Sequence, residues 1–155
     1  MIHQSAIFGP FFAMIWLTFG VWICMYARRI PFIVQYSKKH KDLLDMNDFG
    51  NPSSRHYLPL VSPVYVRNAS DNLKNLFEIP TMFYALILFL YVTNQVDSIH
   101  VNVAWVFVVA RYIHSIIHCT FNNVLRFYVY AFSTFCFWFM ALRASISYYV
   151  TTTPW

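Results

Sequence analysis

The sequence is short of charge. Asp, Glu, Lys and Arg make up 11% of its 155 residues, whereas a soluble domain carries roughly 25% to dress its surface. Acidic groups are the scarcest, 6 against 11 Lys and Arg, and the net charge is +5. Beside 59% hydrophobic and 21% aromatic residues, so few charges exclude a soluble enzyme and a disordered chain alike. Cysteine is scarce too. Cys24, Cys119 and Cys136 are odd in number and lie in apolar runs, which excludes a disulfide framework and offers no zinc spacing. They read as small, polarisable packing residues. There are 3 Gly, no internal repeat and no low-complexity tract. The positive balance invites a nucleic-acid reading, but the basic residues adjoin apolar runs, where a membrane accounts for them. No nucleic-acid partner is expected.

Long apolar runs are what the chain has in quantity. A helical span takes about 20 apolar residues, so four would use roughly 80 and leave some 75 for loops and ends. The runs fall at about 6–26, 76–92, 101–121 and 127–150. They are continuous rather than alternating, and four strands cannot close a barrel, so helices alone satisfy their backbone in lipid. The expected fold is an all-α integral membrane protein, a single domain built as a four-transmembrane-helix bundle. Asn72 and Asn75 suggest that the second helix starts before the lipid does.

Basic residues set the expected orientation. Arg28, Arg29, Lys38, Lys39, Lys41, Arg55, Arg67 and Lys74 lie between the first two spans, and Arg126 lies in the turn before the fourth. The N-terminal stub, residues 95–100 and residues 151–155 carry no Lys or Arg. Both termini should therefore face away from the cytoplasm, with a cytoplasmic loop over about 28–67. The first span has its positive charges after it rather than before it, the pattern of an uncleaved anchor. Within the loop, Pro31, Pro52, Pro59, Pro63 and Gly50 argue against a long regular helix. Lys38, Lys39, His40 and Lys41 form a cluster suited to anionic headgroups, at about 1 kcal/mol per basic residue; a binding lid is the alternative. Asn68-Ala69-Ser70 fits a glycosylation acceptor but would be inert on the cytoplasmic side.

Polar groups inside the spans carry the functional signal, since ionisable residues there are costly and face a bundle interior or cavity. Arg111, His114, His118 and Asn122 recur at spacings of three and four and share one helical face, a stripe about 16 Å long. A central Arg costs about 2.5–3.5 kcal/mol, so it needs a partner. Asp71, Asn75, Glu78 and Met82 share a face of the second span, with Lys74 one turn before Glu78. Antiparallel packing should set Asn75 and Glu78 level with His118 and Asn122. Three readings stay open. The stripes form a structural seam in which Glu78 neutralises Arg111 or a histidine. His114 and His118 are an i, i+4 imidazole pair for a metal, with Glu78 as carboxylate. Or Lys74, Arg111, Arg126 and the histidines make an electropositive pocket that holds carboxylates and favours a bound thiolate. No metal ligand is assigned. Arg143, inside the fourth span, should pair at a subunit interface or snorkel outward.

Asn75-Leu76-Phe77-Glu78-Ile79-Pro80-Thr81-Met82-Phe83-Tyr84 resembles the second-helix signature of the MAPEG family, the membrane-associated proteins of eicosanoid and glutathione metabolism. Arg111-Tyr112-Ile113-His114-Ser115-Ile116-Ile117-His118 resembles its third-helix signature, and Asn122-Asn123-Val124-Leu125-Arg126-Phe127 the turn of bacterial-type members. The resemblance implies a homotrimer in the lipid bilayer with a glutathione site at each subunit interface, open to the cytoplasm. By matching position, Lys74, Asn75, Glu78, Arg111, His114 and His118 would bind glutathione as co-substrate, and Arg126 would steady its thiolate as the catalytic residue. His118 stands where catalytic relatives tend to have Tyr, Asp71 where some have Arg, and Arg126 about one residue out of register.

The implied function is a glutathione-dependent membrane transferase or peroxidase acting on lipophilic electrophiles. The alternative is a non-catalytic scaffold of the same fold, or an accessory subunit of a larger membrane complex. The bilayer would be a bacterial inner membrane or, in a eukaryote, that of the endoplasmic reticulum or mitochondrion.

Overall fold

A computed structural model describes residues 3–39, 62–120 and 124–152. His40, Lys41, Gly50, Pro52, Arg55, Pro59, Asn122 and Asn123 lie outside the described residues. A short 3₁₀ turn, Gln4–Ile7, leads into α1, Phe8–Lys39; α2 is Val64–Leu76, α3 Ile79–Val92, α4 Ser98–Thr120 and α5 Leu125–Thr152. α2 and α3 together make one span, so four helical stretches are long and apolar enough to cross a membrane. The chain is an all-α, four-span membrane bundle.

Two boundaries differ from expectation. α1 does not stop at Arg28 and Arg29 but continues through Pro31 to Lys39. Proline removes one backbone donor, and the helix continues through it nonetheless. The second helix starts before its apolar run, at Val64, in the direction Asn72 and Asn75 suggested, but it breaks at Phe77 and Glu78, which was not expected. Pro80 in the first turn of α3 suits a helix start, where its missing N–H has no partner to lose. Glu78 leaves the helical region there (φ −88°, ψ −101°), and the break re-aims its side chain.

α4 is the central helix, packed on α1, α2 and α5. Of its most apolar stretch 44% is buried, against 28% for each of the other spans. Water does not drive this packing, because lipid is as apolar as the side chains; close contact and polar links between helices decide it. Phe83 of α3 stacks on Phe107 of α4 with centroids 4.5 Å apart, both fully buried, a pair worth about 0.5–1.5 kcal/mol beyond its area. Gly9 serves a close approach: a Cβ there would stand 3.1 Å from the Trp105 ring. Tyr112 Oη of α4 donates to the Ala13 carbonyl of α1 at 2.9 Å.

Polar clamps close both ends. At one end Arg28 Nη1 donates at 2.9 Å to the carbonyl of Cys119, in the last turn of α4 where carbonyls lack helical partners, and at 3.3 Å to that of Tyr65 at the start of α2. At the other, the Gln4 amide brackets Val96, donating to its carbonyl at 3.2 Å and accepting from its N–H at 3.1 Å. Asn94 turns the chain there with φ 54°, a left-handed position that Asn tolerates. Asp97, just before α4, pairs with Arg143 of α5. Arg143 thus finds a counter-ion within the chain itself.

Candidate functional site

The stripe on α4 forms as the spacing requires. Arg111, His114 and His118 all lie on its buried face, with 0%, 2% and 6% of their surface exposed. They continue the line of Ala104 and Phe107, so the same periodicity that buries the core buries three basic side chains.

Arg111 is held by aromatic faces rather than by a carboxylate. Its guanidinium carbon stands 4.5 Å from the Tyr130 ring centroid and 5.3 Å from that of Phe107, within the range of cation–π attraction. Nη2 reaches Thr134 Oγ1 at 3.5 Å, a long contact. Nε and Nη1 are buried with no hydrogen-bond partner among the described residues. Glu78, the expected counter-ion, is one step removed: its Oε2 accepts from Tyr130 Oη at 3.0 Å. Tyr130 thus links an exposed carboxylate to a buried cation.

His114 Nδ1 lies 2.9 Å from the carbonyl of Arg126. A carbonyl only accepts, so Nδ1 carries a proton, and the ring's other nitrogen is Nε2. That atom is buried and unpartnered among the described residues, as is His118 Nδ1. The two imidazoles meet edge to face at 5.4 Å, and Tyr130 lies 5.4 Å from His114. Arg126 occupies the second position of α5 and is half-buried, and its charge acts on both rings. Among the described residues no group of three His, Cys, Asp or Glu side chains is set to hold a metal ion.

The stripe expected on the second span does not face α4. Asp71, Glu78 and Met82 are exposed and Asn75 is half-buried; the buried line is Val66, Ala69, Asn72 and Leu76. Apolar spacing sets the buried face, and Asn72 travels on it. Its Nδ2 lies 3.4 Å from the Ser115 carbonyl and 3.3 Å from Cys119 Sγ, while its Oδ1 accepts from Ser115 Oγ at 3.3 Å. Asn72 is therefore level with Ser115 and Cys119, and Glu78 lies near Arg111. The antiparallel register sits about two turns from the one expected, an offset of seven to eight residues at about 3.6 per turn. Lys74 is drawn off altogether: its Nζ pairs with Asp71 Oδ1 at 3.0 Å, both side chains more than half exposed.

The site accordingly has two layers. Arg111, His114 and His118 form a sealed inner row rich in nitrogen and without a carboxylate in direct contact. Glu78, Tyr130 and Arg126, all more exposed, adjoin it through the Glu78–Tyr130 bond, the Tyr130 ring on Arg111 and the Arg126 carbonyl on His114. Tyr130 and Asn72 were not singled out by sequence as members of this site. Asn72 was legible, being the polar residue in phase with Val66, Ala69 and Leu76; Tyr130 was one of 11 tyrosines with nothing to mark it.

Neither a curated protein nor a solved structure matches the chain. The profile of the MAPEG family does, over residues 7–146. That match takes in the first span as well as the two signature helices, and it agrees with the four-span bundle. The chain belongs to the MAPEG family, the membrane proteins of eicosanoid and glutathione metabolism.

Proposed function

We propose that the protein is a glutathione-dependent transferase or peroxidase acting on lipophilic electrophiles, assembled as a homotrimer with its Arg28 end in the cytoplasm. The observation that carries this reading is the inner row. Four buried side-chain nitrogens of Arg111, His114 and His118 lack hydrogen-bond partners among the described residues, and an uncompensated buried cation is costly. A carboxylate-bearing guest would relieve that cost through charge-assisted hydrogen bonds.

Glutathione suits the chemistry of these groups. Its carboxylates match Arg111, its ammonium matches Glu78, and Lys74 and Asn75 line the rim. In the neutral ring His114 Nε2 would supply a lone pair toward a thiol proton, and the Arg126 cation would stabilise the thiolate. The electrophile would enter from the bilayer and glutathione from the cytoplasm, so the rate gain combines thiolate activation with proximity. In conjugation of an aryl halide, the thiolate sulfur bonds to the ring carbon and halide departs.

The test is conjugation of 1-chloro-2,4-dinitrobenzene by the purified protein with glutathione. Turnover above the uncatalysed rate between pH about 6.5 and 8, around the ordinary thiol pKa, is expected; its absence together with no glutathione binding removes the proposal. A second reading, a scaffold or accessory subunit, draws on two contacts: Lys74 held by Asp71, and Arg111 sealed between aromatic rings. It predicts a stoichiometric partner on copurification and no turnover.

A further inference from the structure

Arg143 is isolated among the basic residues. Residues 1–27, 75–110 and 144–155 carry no Lys or Arg, so it is the one such cation near the end of the bundle away from Arg28. Along α5 it lies about 26 Å from Arg126, at about 1.5 Å per residue, against a hydrocarbon layer about 30 Å thick. With Arg126 at one boundary of the lipid, Arg143 stands at the other. Exposed Tyr148 and Tyr149 follow it, as suits an interfacial aromatic belt. A groove of about 450 Å³ opens at this level on the exposed face of α5. Phe139 and Leu142 wall the part nearer the bilayer centre, Ile146 and Val150 the part beyond, and Arg143 is the charged residue between them.

We propose that this groove is a phospholipid site, in which Arg143 binds the phosphate and Phe139 and Leu142 carry the start of an acyl chain. Asp97 takes Nη2 of Arg143 and neutralises its charge without using up its donors. Nε has no hydrogen-bond partner among the described residues, and 39% of the side chain is exposed. The chain has no second acidic side chain to offer there. Of its 6 Asp and Glu, Asp42, Asp45, Asp48, Asp71 and Glu78 fall between α1 and α3 in sequence, and Asp97 is already engaged. A second copy lying parallel would bring the same engaged Asp97. An arginine at this depth ordinarily stretches toward the headgroups; Asp97 holds this one at the groove, so the phosphate comes to it. Phosphate oxygens suit a guanidinium through charge-assisted hydrogen bonds, and the apolar walls suit a phosphate that carries a tail. The site is at the far end from the inner row and does not depend on glutathione, so the two proposals fail separately.

The test uses the full-length protein in mild detergent, stripped of lipid and titrated with dioleoylphosphatidylglycerol while native mass spectrometry counts the adducts. One phosphatidylglycerol per subunit is expected. Dioleoylglycerol, which has the same chains and no phosphate, should bind about tenfold more weakly, and excess inorganic phosphate should displace nothing. Arg143→Gln should lower phosphatidylglycerol affinity about tenfold, the loss of one charge-assisted hydrogen bond. That variant also breaks the pair with Asp97, so Asp97→Asn separates binding from folding: it breaks the same pair, keeps the cation and should bind at least as tightly as the wild type. A photoreactive phenylalanine analogue placed at Leu142 should label lipid. Equal affinity for the two lipids would overturn the proposal, as would displacement by inorganic phosphate. So would an equal loss of binding in Asp97→Asn and Arg143→Gln, or labelling of a second copy from position 142.

Discussion

The α4–α5 pair gathers charge in two places, and the two places are built differently. Toward one end, Asp97 pairs with Arg143 of α5, accepts from the His100 amide at 2.8 Å and lies 2.9 Å from His100 Nδ1. The last is a close approach without hydrogen-bond alignment. Further along, Arg111 is more deeply buried than Arg143, yet no carboxylate touches it. The first cluster pairs its carboxylate with a cation within the chain and ties the α3–α4 turn to α5, although Arg143 Nε and both His100 ring nitrogens are also buried without hydrogen-bond partners among the described residues. The second leaves a buried cation with no carboxylate in contact with it. Satisfied charge is what architecture requires; unmet charge at full burial has to be accounted for by something the chain does not itself provide.

Exchanging the buried cation for an isosteric apolar group separates those roles most sharply. Arg111→Met should reduce glutathione affinity about 100-fold, the loss of one or two charge-assisted hydrogen bonds at about 1.5–3 kcal/mol each. Thermal stability in detergent should change little, because desolvation that nothing offset is relieved as the aromatic contacts are lost. Isothermal titration and a melting curve on the same preparation check both halves. A large stability loss with unchanged affinity would make the row a structural seam and erase its contrast with the Asp97 cluster.

The opposite pattern is expected at the other cluster. Asp97→Asn should cost about 1 kcal/mol of stability, a value kept small because both partners are more than a third exposed. Glutathione affinity should be unchanged. The effect should also depend on pH. Burial alone would raise the Asp97 carboxyl, but hydrogen bonds from Arg143 and the His100 amide, and the charges of both residues, bring it below its ordinary value of 3.8. Ionised Asp97 therefore contributes its stability fully above that value and loses it as pH falls through the lower, folded one. Melting temperatures followed down to pH about 3 should converge for wild type and Asp97→Asn; parallel curves would show that the carboxylate is not what holds the cluster.

The contrast also explains what could be read in advance. Four spans follow from composition, because lipid admits so few alternatives, and the Arg111, His114 and His118 face follows from their spacing. The helix through Pro31 was not legible, since proline removes a donor and usually marks a helix boundary, and the sequence carries no sign that this one is passed over. On the second span the eye goes to Asp71, Asn75 and Glu78, the more polar line. The bundle instead followed the apolar line of Val66, Ala69 and Leu76 and carried Asn72 inward. Polarity marks where chemistry could happen, but apolar spacing decides which face turns inward, and the break before Pro80 then resets the phase for Glu78.

Lys74 provides the smallest and most discriminating test. As a member of a glutathione site it should attract a carboxylate, yet it stands 3.0 Å from Asp71 at an exposed part of α2. An exposed pair of this kind is worth about 0.2–1 kcal/mol, enough to keep the ammonium off a guest but not enough to stabilise the fold appreciably. Asp71→Asn should therefore leave the melting temperature unchanged and raise glutathione affinity about threefold, in proportion to the competition removed. The double variant Asp71→Asn with Lys74→Ala should return affinity to the wild-type value. If freeing Lys74 changes nothing, the approach to the inner row does not run past α2. The uncompensated charge of Arg111 would then have to be met from the side of Arg126 and Tyr130 alone.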